Sequence, residues 1–501
     1  MRHNMLKFKL KLGWLVVFIA GISLFSQAQI TLTIEQALDI AEENNPSMKS
    51  SKLNYERTQY TLEAQRASLK PQFSMNVTPF SYSQNRSFDS FNSAWFTNKN
   101  LSSEGIFRTS MPLIWTDGTL SLTNRFGWQD SETQNNNGTR TNKAFTNNLS
   151  LAFTQPLFTY NRQKMDFQQL EYNYENAAIN YALQRLSTEQ NITRQFYSVY
   201  LAQIRLDISL TELENARTNY EIIRAKVDAG LSPREELFQA EVNLASSESS
   251  VEQNEVSLIN AKDQFKQTLG MPLSEEINVL ANIEVVPMLV NQDKAIQSGL
   301  LSRMELRQRE ISIETAELAM ITTKAQNQFR GDLSLSIGIT GDDRYLGNIF
   351  DNPTQNPRVS IGFTIPIFDW GQRKARIKAQ ETAQTIAQLD YENMKVNIEL
   401  AIRQSVRSLA NLSTQISISE KQLENARRTY ALYELRYREG ELTGLQMSQY
   451  QAQLSNTMTS LVRTQIDYKN ELLSLKILTL YDFENDKPII PIKELSSITI
   501  R

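Results

Sequence analysis

The sequence predicts an internally duplicated α+β membrane protein, in which long antiparallel coiled-coil hairpins join amphipathic strands of a β-barrel. Three observations predict it. A segment recurs 210 positions further along, since Phe153–Phe158 (FTQPLF) is repeated as Phe363–Phe368 (FTIPIF). Each copy contains strands in which apolar and polar residues alternate, and each continues in seven-residue repeats. Because a few strands per chain cannot close a barrel, this fold requires several copies.

Composition excludes most catalytic chemistry. The chain has 501 residues, no cysteine and one histidine, His3. Zinc, haem and iron–sulfur sites of the usual kinds need imidazole or thiolate ligands, and Ser-His or Cys-His nucleophile pairs need an imidazole base. A hydrolase is also disfavoured because no Gly-x-Ser-x-Gly motif occurs. We therefore expect no enzyme, and we predict no catalytic, metal-binding or cofactor-binding residues.

The N-terminus predicts a secretory signal peptide over residues 1–28. Basic residues precede an apolar run from Leu12 to Phe25, and Ser26-Gln27-Ala28 supplies small residues for cleavage. The alternative, a signal anchor, is disfavoured because this run is shorter than the ~20 residues that span a bilayer. Removing the four cations of the leader leaves 48 Lys and Arg against 55 Asp and Glu, a net charge of −7. This charge does not favour nucleic-acid binding.

Each repeat is predicted to begin with a helix. In the first repeat, residues 29–270, the helix covers 33–70, opens with a Thr33-to-Gln36 capping box and stops before Pro71. In the second repeat, residues 293–480, the helix covers 293–328.

Strands follow these helices, within residues 72–158 of the first repeat and 332–367 of the second. Alternation fits either a soluble sandwich or a membrane barrel. The leader, the absence of a spanning helix and the Asn- and Ser-rich segments Ser81–Asn100 and Ser131–Asn148, interpreted as external loops, favour the barrel. A candidate hairpin around Asp117-Gly118 leaves the number of strands open, at four or six.

Two long helices then complete each repeat. We predict helices over 162–229 and 233–269 in the first copy, and over 371–439 and 443–479 in the second. Apolar residues recur every seven positions, which indicates coiled-coil packing. Glycines at the breaks predict tight turns between the paired helices. The alternative of a soluble fibrous dimer leaves the inserted strands unexplained.

The junctions between strand and helix carry a proline and an aromatic residue in both copies. Pro156 and Pro366 are expected to end the strands, and Phe158 and Phe368 to lie near the level of an aromatic girdle. We interpret these four residues as structural.

These features together resemble the outer membrane efflux protein family, the TolC-like channels of Gram-negative bacteria. The likeness is carried by the two strand-Pro-helix segments, by Tyr437–Leu442 (YREGEL) and by Gln451–Leu454 (QAQL), and it covers roughly Thr33 to Leu480. It implies a homotrimer in the outer-membrane lipid, whose joint β-barrel is continuous with a periplasmic α-barrel tunnel. Residues 271–292 and 481–501 would then form equatorial segments. A periplasmic adaptor and an inner-membrane pump are the partners that the resemblance implies.

The resemblance also implies a gate where the hairpins turn. Tyr437 matches a gating tyrosine of the family, and Glu236 occupies a position where the family can have an aspartate. Gln446 and Gln449 replace possible acids in the second copy. The tip and gate candidates are Asp228, Gly230, Glu235, Glu236, Tyr437, Glu439, Gly440, Glu441, Gln446 and Gln449.

The expected function is that of a passive exit channel of a tripartite efflux or secretion system. The alternative is a trimeric coiled-coil surface or structural protein without transport activity. The sequence leaves open the cargo (drug, metal, siderophore or polypeptide), the type of pump and the resting state of the gate.

Overall fold

A computed structural model describes residues 30–90, 93–135, 138–439 and 441–489. The predicted signal peptide and the last residues of the predicted C-terminal segment lie outside these residues. The helices are α1 (Ile34–Asn44), α2 (Pro46–Ser68), α3 (Arg162–Asp228), α4 (Arg234–Leu269), α5 (Gln292–Ser302), α6 (Met304–Ala325), α7 (Gln372–Arg438) and α8 (Gly444–Thr479). None of the described helices is both long enough and apolar enough to span a bilayer.

Ten strands accompany the helices within these described ranges. They are β1 (Ile30–Leu32), β2 (Gln72–Asp89), β3 (Ala94–Leu113), β4 (Gly118–Asn135), β5 (Gly138–Leu157), β6 (Ile277–Val279), β7 (Arg330–Asp343), β8 (Thr354–Thr364), β9 (Tyr481–Asp482) and β10 (Lys487–Pro488). Six of them form one antiparallel sheet in the order β2-β3-β4-β5-β7-β8. The candidate hairpin is therefore part of the sheet, and the described part of the chain contributes six strands to it.

The four long helices begin and end within one residue of the limits that the sequence predicts. The positions of their seven-residue repeats are buried or half-buried, and Ile192 and Val199 in α3, with Ile402 and Leu409 in α7, are at most 2% exposed. The Thr33 capping box predicted at the start of α1 is also present, with the Thr33 amide donating to the Gln36 side chain at 3.0 Å.

The first predicted helix of each repeat is interrupted, which differs from the continuous helices expected over 33–70 and 293–328. In the first repeat, Asn45 leaves the helical conformation because Pro46 disfavours it in the preceding residue. The Asn45 side chain then accepts from the Met48 amide at 2.9 Å. In the second repeat, Arg303 is extended (φ −72°, ψ 117°) without a proline, and its guanidinium pairs with Glu305 at 2.7 Å.

The two segments that the sequence predicts as external loops form strands instead. Ser81–Asn100 and Ser131–Asn148 lie mostly in β2, β3, β4 and β5, whose ladders continue past the apolar stretch. Cross-strand ion pairs support the polar part: Lys99 with Glu132 at 3.1 Å and Lys143 with Asp130 at 2.9 Å. Asn and Ser indicate exposure to water, but they do not prevent strand pairing.

The described residues form two compact units. One contains residues 30–51, 182–302 and 398–489, and it is centred on buried apolar residues such as Phe196, Phe265 and Leu269. The other contains residues 52–181 and 303–397, and it holds the six-stranded sheet. Each unit therefore combines parts of both sequence repeats.

Candidate functional site

One face of the six-stranded sheet is apolar. Residues that are paired across strands share a face, so the register assigns every side chain to one side. The large apolar side chains on this face are Phe73, Met75, Val77, Phe107, Leu122, Phe126, Leu149, Leu151, Leu335, Ile337, Ile339, Val359, Ile361 and Phe363. All are exposed within the chain, with Met75 and Val359 reaching 72%. An apolar face of this extent requires a cover of lipid or protein.

The length of the apolar stretch matches a membrane. On β5 it extends over nine residues, from Phe145 to Phe153. A tilted transmembrane β-strand needs about 9–11 residues to cross a bilayer. Farther outward, the same face carries the Lys99–Glu132 and Lys143–Asp130 ion pairs, so it changes from apolar to charged at one level.

The opposite face, which we call the polar face, consists mainly of small hydrophilic side chains. Examples are Ser74, Asn76, Thr123, Ser150, Ser334, Ser336 and Ser360. Thr340 on β7 accepts hydrogen bonds from Asn148 at 2.7 Å and from Asn356 at 3.1 Å. The face also carries Arg108, Arg358 and an Arg125–Glu104 ion pair at 3.8 Å. Such a surface suits contact with water, as expected of a channel wall.

The junction between strand and helix is built around aromatic side chains. Phe158 is exposed and its ring contacts Phe329, with centroids 5.3 Å apart. In the second repeat, Phe368 contacts Trp370 edge to face at 4.7 Å. Pro156 lies inside β5, opposite Asp332, so that strand continues one residue beyond the proline instead of ending before it.

Pro366 lies two residues beyond the end of β8, and the helix that follows is capped by Asp369. This carboxylate accepts from the backbone amides of Arg373 at 2.9 Å and Gly371 at 3.0 Å. These two hydrogen bonds lower the pKa of Asp369. The cap fixes the start of α7, and it was not anticipated from the sequence.

The first hairpin turn has the backbone conformation that its glycine predicts. Asp228 is the last residue of α3, and Gly230 adopts the left-handed conformation (φ +71°) that ends a helix. The Leu231 amide then donates to the Lys226 carbonyl at 2.8 Å. Glu235 and Glu236 lie in the first turn of α4, where the helix dipole favours negative charge.

In the second turn, Gly440 lies outside the described residues. The amide of Glu439 donates to the Leu435 carbonyl, and that of Glu441 to the Arg436 carbonyl. Gln446 forms a capping box with Thr443, in which the Thr443 amide donates to the Gln446 side chain at 3.1 Å. Gln449 is exposed.

One hydrogen bond joins the two hairpins near these turns. The Tyr437 hydroxyl on α7 donates to the Asn219 side-chain oxygen on α3. Burial and the nearby charge of Glu236 raise the pKa of Tyr437, so its hydroxyl keeps its proton at neutral pH. Two cavities, of about 400 and about 250 Å³, flank this contact, and Asn219 lines both. Asn219 was not identified from the sequence, because a lone Asn on a heptad helix carries no local signal.

The chain matches the profile of the outer membrane efflux protein family over residues 119–271 and 295–479. It belongs to this family. The chain is 21% identical to the probable outer membrane lipoprotein SilC of Salmonella typhimurium, over 58% of its own length and 62% of SilC. It is also 21% identical to nodulation protein T of Rhizobium leguminosarum bv. trifolii, over 65% of its own length and 69% of that protein.

The fold is shared with solved channels. The outer membrane channel CmeC of Campylobacter jejuni superposes with a TM-score of 0.70 at 15% identity, over 93% of this chain and 89% of CmeC. Membership of this family locates the chain in the outer membrane of a Gram-negative bacterium.

Proposed function

We propose that this chain is the exit channel of a tripartite efflux or secretion system. Three copies enclose one passage, a periplasmic adaptor and an inner-membrane pump deliver the substrate, and the channel conducts it passively to the exterior. Family membership and the two unlike faces of the sheet support this function.

The sheet is the observation that carries the proposal. Exposed backbone groups at the edge of a sheet cannot remain unpaired in lipid, so an amphipathic sheet crosses a membrane only as part of a closed barrel. Six strands are fewer than the eight of the smallest barrels of this type, so several copies must share one barrel. The apolar face then contacts lipid, and the polar face lines the passage.

We also propose that the Tyr437–Asn219 hydrogen bond holds the hairpins together at the periplasmic entrance. Glu235, Glu236, Glu439 and Glu441 make this end acidic. Each hairpin could separate from its neighbour only after this hydrogen bond breaks, so its loss should favour an open entrance. Because the pKa of Tyr437 is raised, the bond should persist throughout the neutral range of pH.

Single-channel recording in planar bilayers tests both proposals. The purified protein should give discrete current steps. Tyr437→Phe and Asn219→Ala remove the donor and the acceptor of the same bond, so each should raise the mean conductance or the open fraction severalfold, and the double variant should add little.

Tyr220→Phe is the matched control, because it removes a hydroxyl from a heptad position of α3 and should leave the current unchanged. Equal effects of all three substitutions would contradict the proposed role of the bond. A trimeric protein that passes no current in any variant would contradict the channel itself and favour the structural alternative.

A further inference from the structure

The two repeats contribute unequally to the sheet. The second repeat supplies one hairpin, β7–β8, while the first supplies β2 to β5. By sequence offset, β5 corresponds to β8 and β2 to β7, so β3 and β4 are an insertion. The inserted strands do not fold aside as a loop. They pair with β2 on one side and with β5 on the other, between the two strands that would otherwise be neighbours.

Both edges of the sheet lie within the apolar band. Within the described part of the chain, β2 and β8 each have one strand partner, and all 11 residues of β8 are exposed. Amides and carbonyls left unpaired at these edges would be strongly unfavourable in lipid, where no water can hydrogen-bond to them. These edges therefore need partners from outside the chain.

The two edges are complementary. β2 and β8 run in opposite directions, because six successive antiparallel strands separate the ends of the sheet. On the apolar face, β2 presents Phe73, Met75 and Val77, and β8 presents Val359, Ile361 and Phe363. Their polar faces carry small side chains, such as Ser74 and Ser360. A β8–β2 contact between copies would keep both faces continuous.

We infer that β8 of one copy pairs with β2 of the next, with the inserted β3–β4 hairpin as part of the barrel wall. Three copies of six strands then close an 18-stranded barrel instead of a 12-stranded one. This inference rests on the proposed trimeric channel and goes beyond it, since it assigns the seam between copies and the width of the outer passage.

The perimeter of a ring of strands and that of a ring of helices support 18 strands. Strands about 4.8 Å apart and tilted by about 40° give 18 strands a perimeter of about 110 Å and a diameter of about 36 Å. The unit that holds the sheet also contains four helical segments, from α2, α3, α6 and α7. Twelve such helices, spaced about 9 Å apart, have a perimeter of about 110 Å. Twelve strands would reach only about 75 Å.

Disulfide cross-linking tests the β8–β2 contact between copies. The chain has no cysteine, so no native thiol can give background cross-links. Ser360→Cys on β8 is combined in turn with cysteine at polar-face positions of β2. These positions are Ser74, Asn76, Thr78, Ser81 and Ser83. Oxidation of the assembled protein should yield covalent trimers from one or two adjacent positions, since a disulfide requires Cα atoms about 4.4–6.8 Å apart.

The control pairs Ser360→Cys with Ser110→Cys, which lies on the polar face of β3, one strand inside the edge. This control should give no cross-linked trimer. The inference is overturned if no β2 position cross-links, or if the Ser110 variant cross-links as well as the best of them.

A deletion of residues 94–137 provides a second measurement. It removes the inserted hairpin but keeps both edges, so the variant should remain trimeric, and its barrel should narrow from about 36 to about 24 Å in electron micrographs of nanodisc samples. A conducting wild-type trimer with 12 strands in its wall would overturn this inference and leave the proposed function intact. A protein that is monomeric and passes no current would overturn both.

Discussion

The two repeats are the same in their helices and different in their strands. Helices α3 and α7 both have 67 residues, and α4 and α8 both have 36. Of the six strands in the described sheet, four come from the first repeat and two from the second. A long hairpin packs along its whole length, so one extra residue would shift every later contact out of register. A sheet tolerates an inserted hairpin because each new strand brings its own hydrogen-bonding partner.

The repeats also differ in single residues at equivalent positions. Tyr437 and Asn219 form the hydrogen bond between the hairpins, while the corresponding positions in the other repeat carry Val227 and Thr429. Valine has no hydroxyl, so it cannot form this bond. The duplication therefore preserves the backbone, and side-chain changes confine the contact to one of two equivalent places.

The largest expected effect tests the equivalence of the helices. Leu409 and Val199 occupy the same position in α7 and α3, and both are at most 2% exposed. Leu409→Ala should destabilise the protein by about 2–5 kcal/mol, and Val199→Ala by about 2 kcal/mol because it removes fewer buried carbons. Thermal unfolding followed by circular dichroism in detergent measures both. Lys421→Ala, on an exposed position of α7, should change stability by less than about 0.5 kcal/mol.

A smaller effect should distinguish the two turns. Thr443 caps α8 with its side chain, while Pro233 at the start of α4 makes no side-chain cap. Thr443→Ala should cost about 1 kcal/mol and speed hydrogen exchange at the Gln446 amide, which loses its acceptor. Pro233→Ala should leave exchange at the Glu236 amide unchanged. Unchanged exchange at Gln446 in the Thr443 variant would show that the capping box does not stabilise the turn.

The smallest effect concerns one pair of equivalent acids. Burial raises the pKa of Glu189 above its ordinary value of 4.5, despite nearby Arg185 and Lys476. The folded state therefore binds the Glu189 proton more tightly than the unfolded state. The stability that this proton contributes is complete below about pH 4.5 and is lost as the pH rises through the folded pKa.

Glu189→Gln, which is neutral at every pH, should raise the melting temperature at pH 8 by a degree or two at most, and this gain should disappear near pH 4. Its counterpart Glu399 is half-exposed and pairs with Arg403 at 2.7 Å. Glu399→Gln should lower the melting temperature slightly at pH 8. A gain of similar size in both variants would show that burial of Glu189 is not the cause.

Much of this structure follows from sequence patterns, but some breaks have no local signal. The heptads and the two glycine turns predict the long helices because period and turn chemistry are local. The break at Asn45 follows from Pro46. The break at Arg303 has no proline or glycine that would signal it in the sequence, although a local ion pair with Glu305 accompanies the extended conformation. Strand extension past the apolar band depends on cross-strand pairing, which composition does not reveal.

The unequal heights of the strands have a consequence for the outer mouth. β5 pairs with β7 only from Phe145 inward, so its residues 138–144, together with the outer parts of β2, β3 and β4, rise above β7 and β8. In the trimer that we propose, the outer rim would therefore alternate between three tall polar segments, formed by β2 to β5, and three lower segments, formed by β7 and β8.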